Sequence, residues 1–388
     1  MNRACVRDIR ELKESMLPPR ANEGRTRVLF LSSTAQGFLT YERELRKRTE
    51  MRDDIDAVHI ALVPNRLMKL IGIRIPGIGK WDYQPYRYMR MWSARISSWF
   101  ETVIDPARFD IVHVTTENNA LALPAIAKKS GIPYSVYIDA TTSQFCGDFG
   151  YNRLTGAPVI ACERDIYANA AFVACMSEWA RTSVIRDYGV DESRAVLVRS
   201  AVDLPKLGAD RRTSDGLVKL VYVGNDWNRK GGGRILRWHQ EHFADRAELH
   251  LIGRRIPAVS GRNVIVHGPV DRDRLMNELL PSMDVFVLPT REDMTPWVII
   301  EAQSMRLPVV SSRVGAISEM VVHGETGLLA HRDDDAMFIA HIKRLIDDAQ
   351  LRQAMSAAAR AHAEREFSPD RWYDALFERL KLAARMEA

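Results

Sequence analysis

Two loops in the second half of the chain carry residue types that suit a charged, hydroxyl-rich ligand. The first reads Val223-Gly224-Asn225-Asp226-Trp227-Asn228-Arg229-Lys230-Gly231-Gly232-Gly233. Two cations stand directly before a flexible glycine run that opens a helix, so Lys230 and the amides of that turn can neutralise a departing diphosphate without a metal. The Gly-Lys-Ser/Thr ending of a Walker A loop is missing. The second loop follows a strand at 284–288 and reads Pro289-Thr290-Arg291-Glu292-Asp293-Met294-Thr295-Pro296-Trp297-Val298-Ile299-Ile300-Glu301. Thr295 reads as the helix N-cap and Pro296 as the first helical residue, which aims first-turn amides back toward the loop, where they attract anions. Asp293 precedes the helix and Glu301 lies more than a turn inside it. One carboxylate can then hold sugar hydroxyls and the other ribose hydroxyls, because carboxylates accept such bonds strongly.

The first half offers less. Asp139 follows an apolar run at 134–138 and leads into Ala140-Thr141-Thr142-Ser143, a polar loop at a strand end. Ser33-Thr34-Ala35-Gln36-Gly37 follows the first strand. Two acidic runs imitate metal sites. Asp271-Arg272-Asp273 precedes a helix and reads as a capping segment, and Asp333-Asp334-Asp335 reads as a solvated helix start. No metal is expected at either. The cysteines Cys5, Cys146, Cys162 and Cys175 have neither C-x-x-C spacing nor a histidine pattern, so they read as reduced thiols.

Loops need strands to hold them, and the strands recur in two series. Short β-branched runs fall at 28–31, 57–62, 111–114, 134–138, 171–175 and 195–198, then at 219–223, 248–252, 264–267, 284–288, 309–311 and 328–329, each separated by helix-sized segments. Strand alternating with helix means parallel sheets, here two of them. The Pro-, Gly- and charge-rich stretch 205–216 reads as the linker between two α/β units. With 388 residues, two domains are the first expectation, and an excess of 55 Lys and Arg over 50 Asp and Glu is too small to argue for nucleic acid. The charged first 26 residues do not read as a signal peptide, and no apolar run approaches the ~20 residues of a membrane span. The chain is expected to be cytoplasmic, with any membrane association peripheral. Tyr88, Trp92, Ile96, Trp99 and Val103 recur at near-helical spacing across 81–103, which reads as a domain helix with a core face.

From Leu288 to Leu329 the sequence resembles the donor-site segment of glycosyltransferase family 4. Asp293, seven residues and Glu301 follow that family's pattern of two acids. The likeness continues through Glu301-Ala302-Gln303-Ser304-Met305-Arg306-Leu307-Pro308-Val309-Val310, Gly315-Ala316-Ile317-Ser318-Glu319 and His323-Gly324-Glu325-Thr326-Gly327-Leu328-Leu329. Lys230 and Gly231 match its phosphate loop; Ser177-Glu178-Trp179 and Phe367-Ser368-Pro369-Asp370-Arg371-Trp372 also resemble family segments. The resemblance implies a GT-B fold, an α/β architecture of two facing Rossmann-like domains with parallel sheets and an interdomain cleft. It divides the chain into an N-terminal extension at 1–26, an acceptor-side domain at 27–204, the linker at 205–216, a donor-binding domain at 217–366, and a C-terminal helix at 367–388 that crosses back to the first domain.

The implied activity is retaining, metal-independent transfer of a hexosyl-type group from a nucleotide-diphosphate sugar to a glycan or lipid-linked acceptor. Alternatives are a nucleotide-sugar hydrolase or epimerase, or a non-catalytic binding module. The resemblance places Glu301 at the ribose and Asp293 at the transferred sugar; Gly224, Asn225, Lys230, Met294 and Thr295 are expected around the donor, and Arg229 is added to them on its position beside Lys230 rather than by the resemblance. Asp139 would lie by the reacting centre, with Gly37 and Thr141 on the acceptor side. Three departures stand out. Asn225 replaces the usual Arg, which leaves Arg229 to supply the second cation. Asp293 with Met294-Thr295-Pro296 replaces Glu and Gly-Phe-Gly, and Asp139 replaces a His. The aromatic and basic segment 66–100 motivates contact with a membrane surface. No cofactor is expected, and no nucleic-acid partner.

Overall fold

The computed structural model describes residues 5–6, 17, 24–34, 37–73, 81–205 and 216–386. The chain forms two compact units, Met1–Ser200 with Asp370–Ala388, and Ala201–Pro369. Within the linker reading at 205–216, residues 206–215 lie outside the described residues.

The first unit is built on a seven-stranded parallel sheet of β1 (Cys5–Val6), β2 (Thr26–Ser33), β3 (Ile55–Leu62), β4 (Ile111–Thr115), β5 (Tyr134–Ile138), β6 (Phe172–Cys175) and β7 (Ala195–Leu197). Their order is β1-β3-β2-β4-β5-β6-β7. Every residue of β4, β5 and β6 is buried, as expected of strands covered by helices on both faces. The edge strand β1 lies in the N-terminal extension, where no strand was expected; it pairs through Cys5 with His59 and Val6 with Ile60.

The second unit has a six-stranded parallel sheet of β8 (Val218–Val223), β9 (Ala247–Ile252), β10 (Val264–Gly268), β11 (Val285–Leu288), β12 (Val309–Ser312) and β13 (Gly327–Ala330), in the order β10-β9-β8-β11-β12-β13. All twelve anticipated strands are present. The second sheet starts in the middle at β8, runs outward to β10, and then returns to fill the other side; from β2 onward the first sheet does the same, with β1 added outside β3. The reversal falls between β2 and β4 in the first unit and between β8 and β11 in the second. At such a switch point successive loops diverge to opposite faces and leave a crevice beyond the strand ends, where open α/β sheets take ligands.

The helix Gln84–Thr102 buries Met89, Trp92, Ile96 and Trp99 against the first core, which bears out the core-face reading. The last helix, Pro369–Met386, belongs to the first unit. It buries Trp372, Tyr373, Leu376, Phe377 and Leu380, and ion pairs hold its exposed side: Arg52 to Asp374 at 2.6 Å and Lys381 to Asp54 at 2.7 Å. Among the described residues no helix is long and apolar enough to cross a membrane.

Candidate functional site

The loops after β8 and β11, one on each side of the second switch point, are sewn together. The Arg229 carbonyl accepts from Arg291 N at 2.9 Å and from the Thr290 hydroxyl at 3.2 Å, while Arg229 Nη1 donates to the Glu292 carbonyl at 2.5 Å. Glycine permits the approach. Gly231 has φ 78°, and a Cβ there would stand 2.2 Å from the Pro289 carbonyl oxygen; a Cβ on Gly232 would meet the Trp227 ring at 2.1 Å. The glycine run read as flexible is therefore a close-packing device. Gly315, at φ 54°, serves the same purpose beneath Asp293, since a Cβ would fall 2.2 Å from the Asp293 carbonyl.

This clamp brings Lys230, Arg229 and Asp293 together. Lys230 Nζ lies 3.4 Å and Arg229 Nη1 3.6 Å from Asp293 Oδ2. The Asp293 residue is only 7% exposed, yet Oδ2 makes no aligned hydrogen bond, so the cations hold it by charge while leaving its lone pairs open. Burial alone would lower the Arg229 pKa; Asp293 and Asp226 outweigh it and raise the pKa. Asn225 is exposed, and its Oδ1 accepts from Arg254 N at 3.0 Å. Gly224 is buried, with no room for a side chain beside Tyr222 Oη and Lys230 Cδ.

Two local expectations are corrected. The helix after β11 spans Trp297–Ser304 with Pro296 at the N-cap, so Thr295 is not the cap and Pro296 is not the first helical residue. Proline has no side-chain acceptor to offer the second or third amide, so this helix starts without a side-chain cap. The Thr295 hydroxyl is left buried without a partner beside half-buried Met294. Glu301, 8% exposed, has its Oε1 3.3 Å from Arg272 Nη1. Arg272 stands in the Asp271-Arg272-Asp273 run, whose Asp271 caps a turn by accepting from Arg274 N at 2.8 Å, as its capping reading required. No spacing rule joins Arg272 to Glu301. In the other acidic run Asp334 caps its helix, but Asp335 is not simply solvated: it pairs with Arg234 at 2.6 Å.

Residues 218–348 match the family model described as glycosyl transferases group 1, and residues 69–201 match the glycosyl transferase 4-like domain. The chain belongs to the family 4-type glycosyltransferases. It is 27% identical over 260 residues to a D-inositol 3-phosphate glycosyltransferase of Geodermatophilus obscurus, covering 60% of this chain and 56% of that protein. It is 40% identical over 230 residues to the corresponding protein of Corynebacterium diphtheriae, covering 52% and 54%. The chain thus spans about half the length of these curated relatives. Sucrose-phosphate synthase from Thermosynechococcus elongatus shares the fold at a TM-score of 0.69 with 16% identity, covering 92% of this chain and 100% of that one. Anabaena HepE in complex with UDP-glucose does so at 0.66 with 14% identity, covering 92% and 100%. These likenesses establish the GT-B fold.

In the first unit the expected acceptor-side residues have different roles. Gly37 sits at the N-cap of the helix Phe38–Glu50 with φ 96°, a conformation that favours glycine; residues 35–36 lie outside the described residues. Asp139 is half-buried at the end of β5. Thr141, expected to face the acceptor, is fully buried and caps the helix Thr142–Asp148 in a capping box with Gln144, its hydroxyl also 2.7 Å from Ser183 Oγ. Such a hydroxyl is occupied by the fold.

Sequence reasoning missed two acids here. Glu163 is fully buried and accepts from Thr142 N at 3.0 Å, from Thr142 Oγ1 at 2.6 Å, and from the Tyr188 hydroxyl. Burial pushes its pKa up to about 7, although those bonds pull it down. Glu117, just after β4, is pushed well up, first by burial and then by Glu163 and Asp139. No motif in the sequence marks either position, and only the tertiary fold brings them near each other.

Proposed function

We propose that this protein transfers a glycosyl group from a nucleotide-diphosphate sugar to an acceptor hydroxyl, with retention at the anomeric carbon. The observation that carries the reading is the set formed by Lys230, Arg229 and Asp293: two cations within 3.6 Å of a buried carboxylate oxygen that no hydrogen bond uses. Buried polar atoms are normally satisfied, so the unpartnered Asp293 Oδ2 and Thr295 hydroxyl mark this loop as one whose hydrogen bonding a polar ligand would complete.

In the reaction the bond between the anomeric carbon and the diphosphate oxygen breaks. The acceptor oxygen bonds to that carbon on the same face, and its proton passes to the departing phosphate oxygen. Lys230 and Arg229 stabilise the charge that grows on the diphosphate, the task a divalent cation performs elsewhere. Arg229 supplies the cation that Asn225 does not. Asp293 accepts hydroxyls of the transferred sugar, Thr295 contacts the diphosphate, and Glu301, oriented by Arg272, accepts the ribose hydroxyls. Asp139 orients the reacting centre from the first unit.

The test is product analysis with a panel of nucleotide-diphosphate hexoses in EDTA. Nucleotide release that requires an added acceptor and yields the α-linked product from an α-linked donor supports transfer. Equal release without acceptor, with free sugar as the product, identifies a hydrolase instead. Tight donor binding with no release from any donor identifies a binding module.

A further inference from the structure

A cavity of about 300 Å³ lies wholly within the first unit, at the switch-point end of its sheet. That is the small end of ligand pockets, roughly 300–1,000 Å³, and suits one or two sugar rings. The carboxyl of Glu117 and the amide of Asn118 enter it from the turn after β4, while Tyr88, Phe145 and Tyr151 supply aromatic wall. Asn152 faces it too. The Asn152 carbonyl oxygen is spent on the amides of Leu154 and Thr155, but its NH₂ makes no hydrogen bond among the described residues.

The charge of this wall is unlike that of the Lys230 cluster. No Lys or Arg is among the described residues that line it, whereas Asp82 and Glu117 are. The nearby Arg87 is engaged by Asp82 at 2.9 Å. Glu117 Oε1 accepts from Asn118 at 2.6 Å, and Oε2 is buried with no partner. A phosphate entering here would be desolvated against carboxyl groups with no Lys or Arg among the described lining residues to offset the cost. An uncharged, hydroxylated ring meets the opposite situation. Its C–H face lies on the aromatic rings, and its hydroxyls pair with the Asn152 NH₂ and with the Glu117 carboxyl, whose Oε2 has no partner among the described residues.

We infer that this cavity binds an uncharged pyranoside ring of the acceptor and rejects its phosphorylated counterpart. The inference rests on the transferase reading for the word acceptor, and on the cavity alone for the ligand's chemistry. Asp139, the residue proposed to orient the reacting centre, adds to the upward push on the Glu117 carboxyl after burial and Glu163.

The experiment is saturation-transfer difference NMR on the full chain without donor, using methyl α- and β-glycosides of glucose, galactose and mannose, each beside its 6-phosphate. At least one neutral glycoside is expected to show saturation, strongest at ring C–H protons, with its phosphate at least ~10-fold weaker, the effect of about 1.4 kcal/mol. Tyr151→Ala and Glu117→Ala should each weaken the neutral ligand by ~10-fold, while Glu117→Gln, which can still donate and accept, should stay within about threefold. The inference is overturned if no neutral glycoside binds, if the 6-phosphates bind as well, or if both alanine variants leave binding unchanged. A thermal shift with UDP and GDP serves as a separate arm. Variants that keep the wild-type shift are folded, so lost glycoside binding is local. If neither nucleotide shifts the wild type while glycosides bind, it is the donor reading that fails.

Discussion

The two sheets reverse at equivalent places, β2/β4 and β8/β11, yet the acids gathered there live under opposite rules. At the second switch point each carboxylate meets a cation: Asp293 with Lys230 and Arg229, Glu301 with Arg272. At the first, Glu117 and Glu163 meet amides, hydroxyls and each other, and burial drives both toward the neutral form. On the proposed readings, one topology carries an anion receptor in one unit and a cavity for an uncharged ring in the other. Topology says where a ligand sits, and the local charge balance says what it is.

The contrast breaks most readily at Lys230. Lys230→Ala should slow nucleotide release at saturating donor by ~100-fold, the scale of one lost electrostatic donor at a developing charge. Unchanged turnover would remove Lys230 from the chemistry. Next in size is Gly231→Ala, which places a methyl against the Pro289 carbonyl at a left-handed φ. A destabilisation of ~2 kcal/mol or more is expected, lowering the thermal midpoint by about 5 °C and weakening nucleotide binding with it. A variant with wild-type melting would show that the two loops need no such close contact.

The first switch point is sharpened by pH. Glu163 binds its proton more tightly folded than unfolded, with a pKa near 7 against an ordinary 4.5. Between those values the native state holds more protons, so this group's contribution to stability falls as pH rises from about 4.5 to about 7, and the full penalty remains above that. Glu163→Gln should therefore gain melting temperature relative to wild type as the pH is raised from 5.5 to 8. A constant difference across that range would show that Glu163 is already ionised. The smallest effect is expected at Arg272→Ala, which frees Glu301 to rotate. Donor KM should rise about threefold with little change in kcat, as for a lost surface-accessible charged contact.

Much of this was legible beforehand. The strands are continuous β-branched runs because both faces are covered, and such runs stand out in sequence. Asp293, Glu301, Lys230 and Gly231 were legible because each loop carries its residues within one short stretch. Contacts between stretches were not. Arg272 reaches Glu301 and Thr290 reaches Arg229 only after the sheet aligns strand ends, and neither pairing leaves a spacing in the chain. Thr295 misled because threonine before proline suits an N-cap, whereas the helix began one residue later. Glu117 and Glu163 were invisible for a similar reason: nothing in a carboxylate's neighbours along the chain reveals that folding will bury it.

The most direct measurement is calorimetric titration of UDP and GDP, in EDTA, into wild type and the Arg229→Ala, Lys230→Ala double variant. Wild type should bind one of them without metal, and the double variant should bind it ~100-fold more weakly, as expected for two lost charge-assisted contacts. Equal affinities for the two proteins, or binding that appears only when a divalent cation is restored, would contradict a diphosphate held by Lys230 and Arg229.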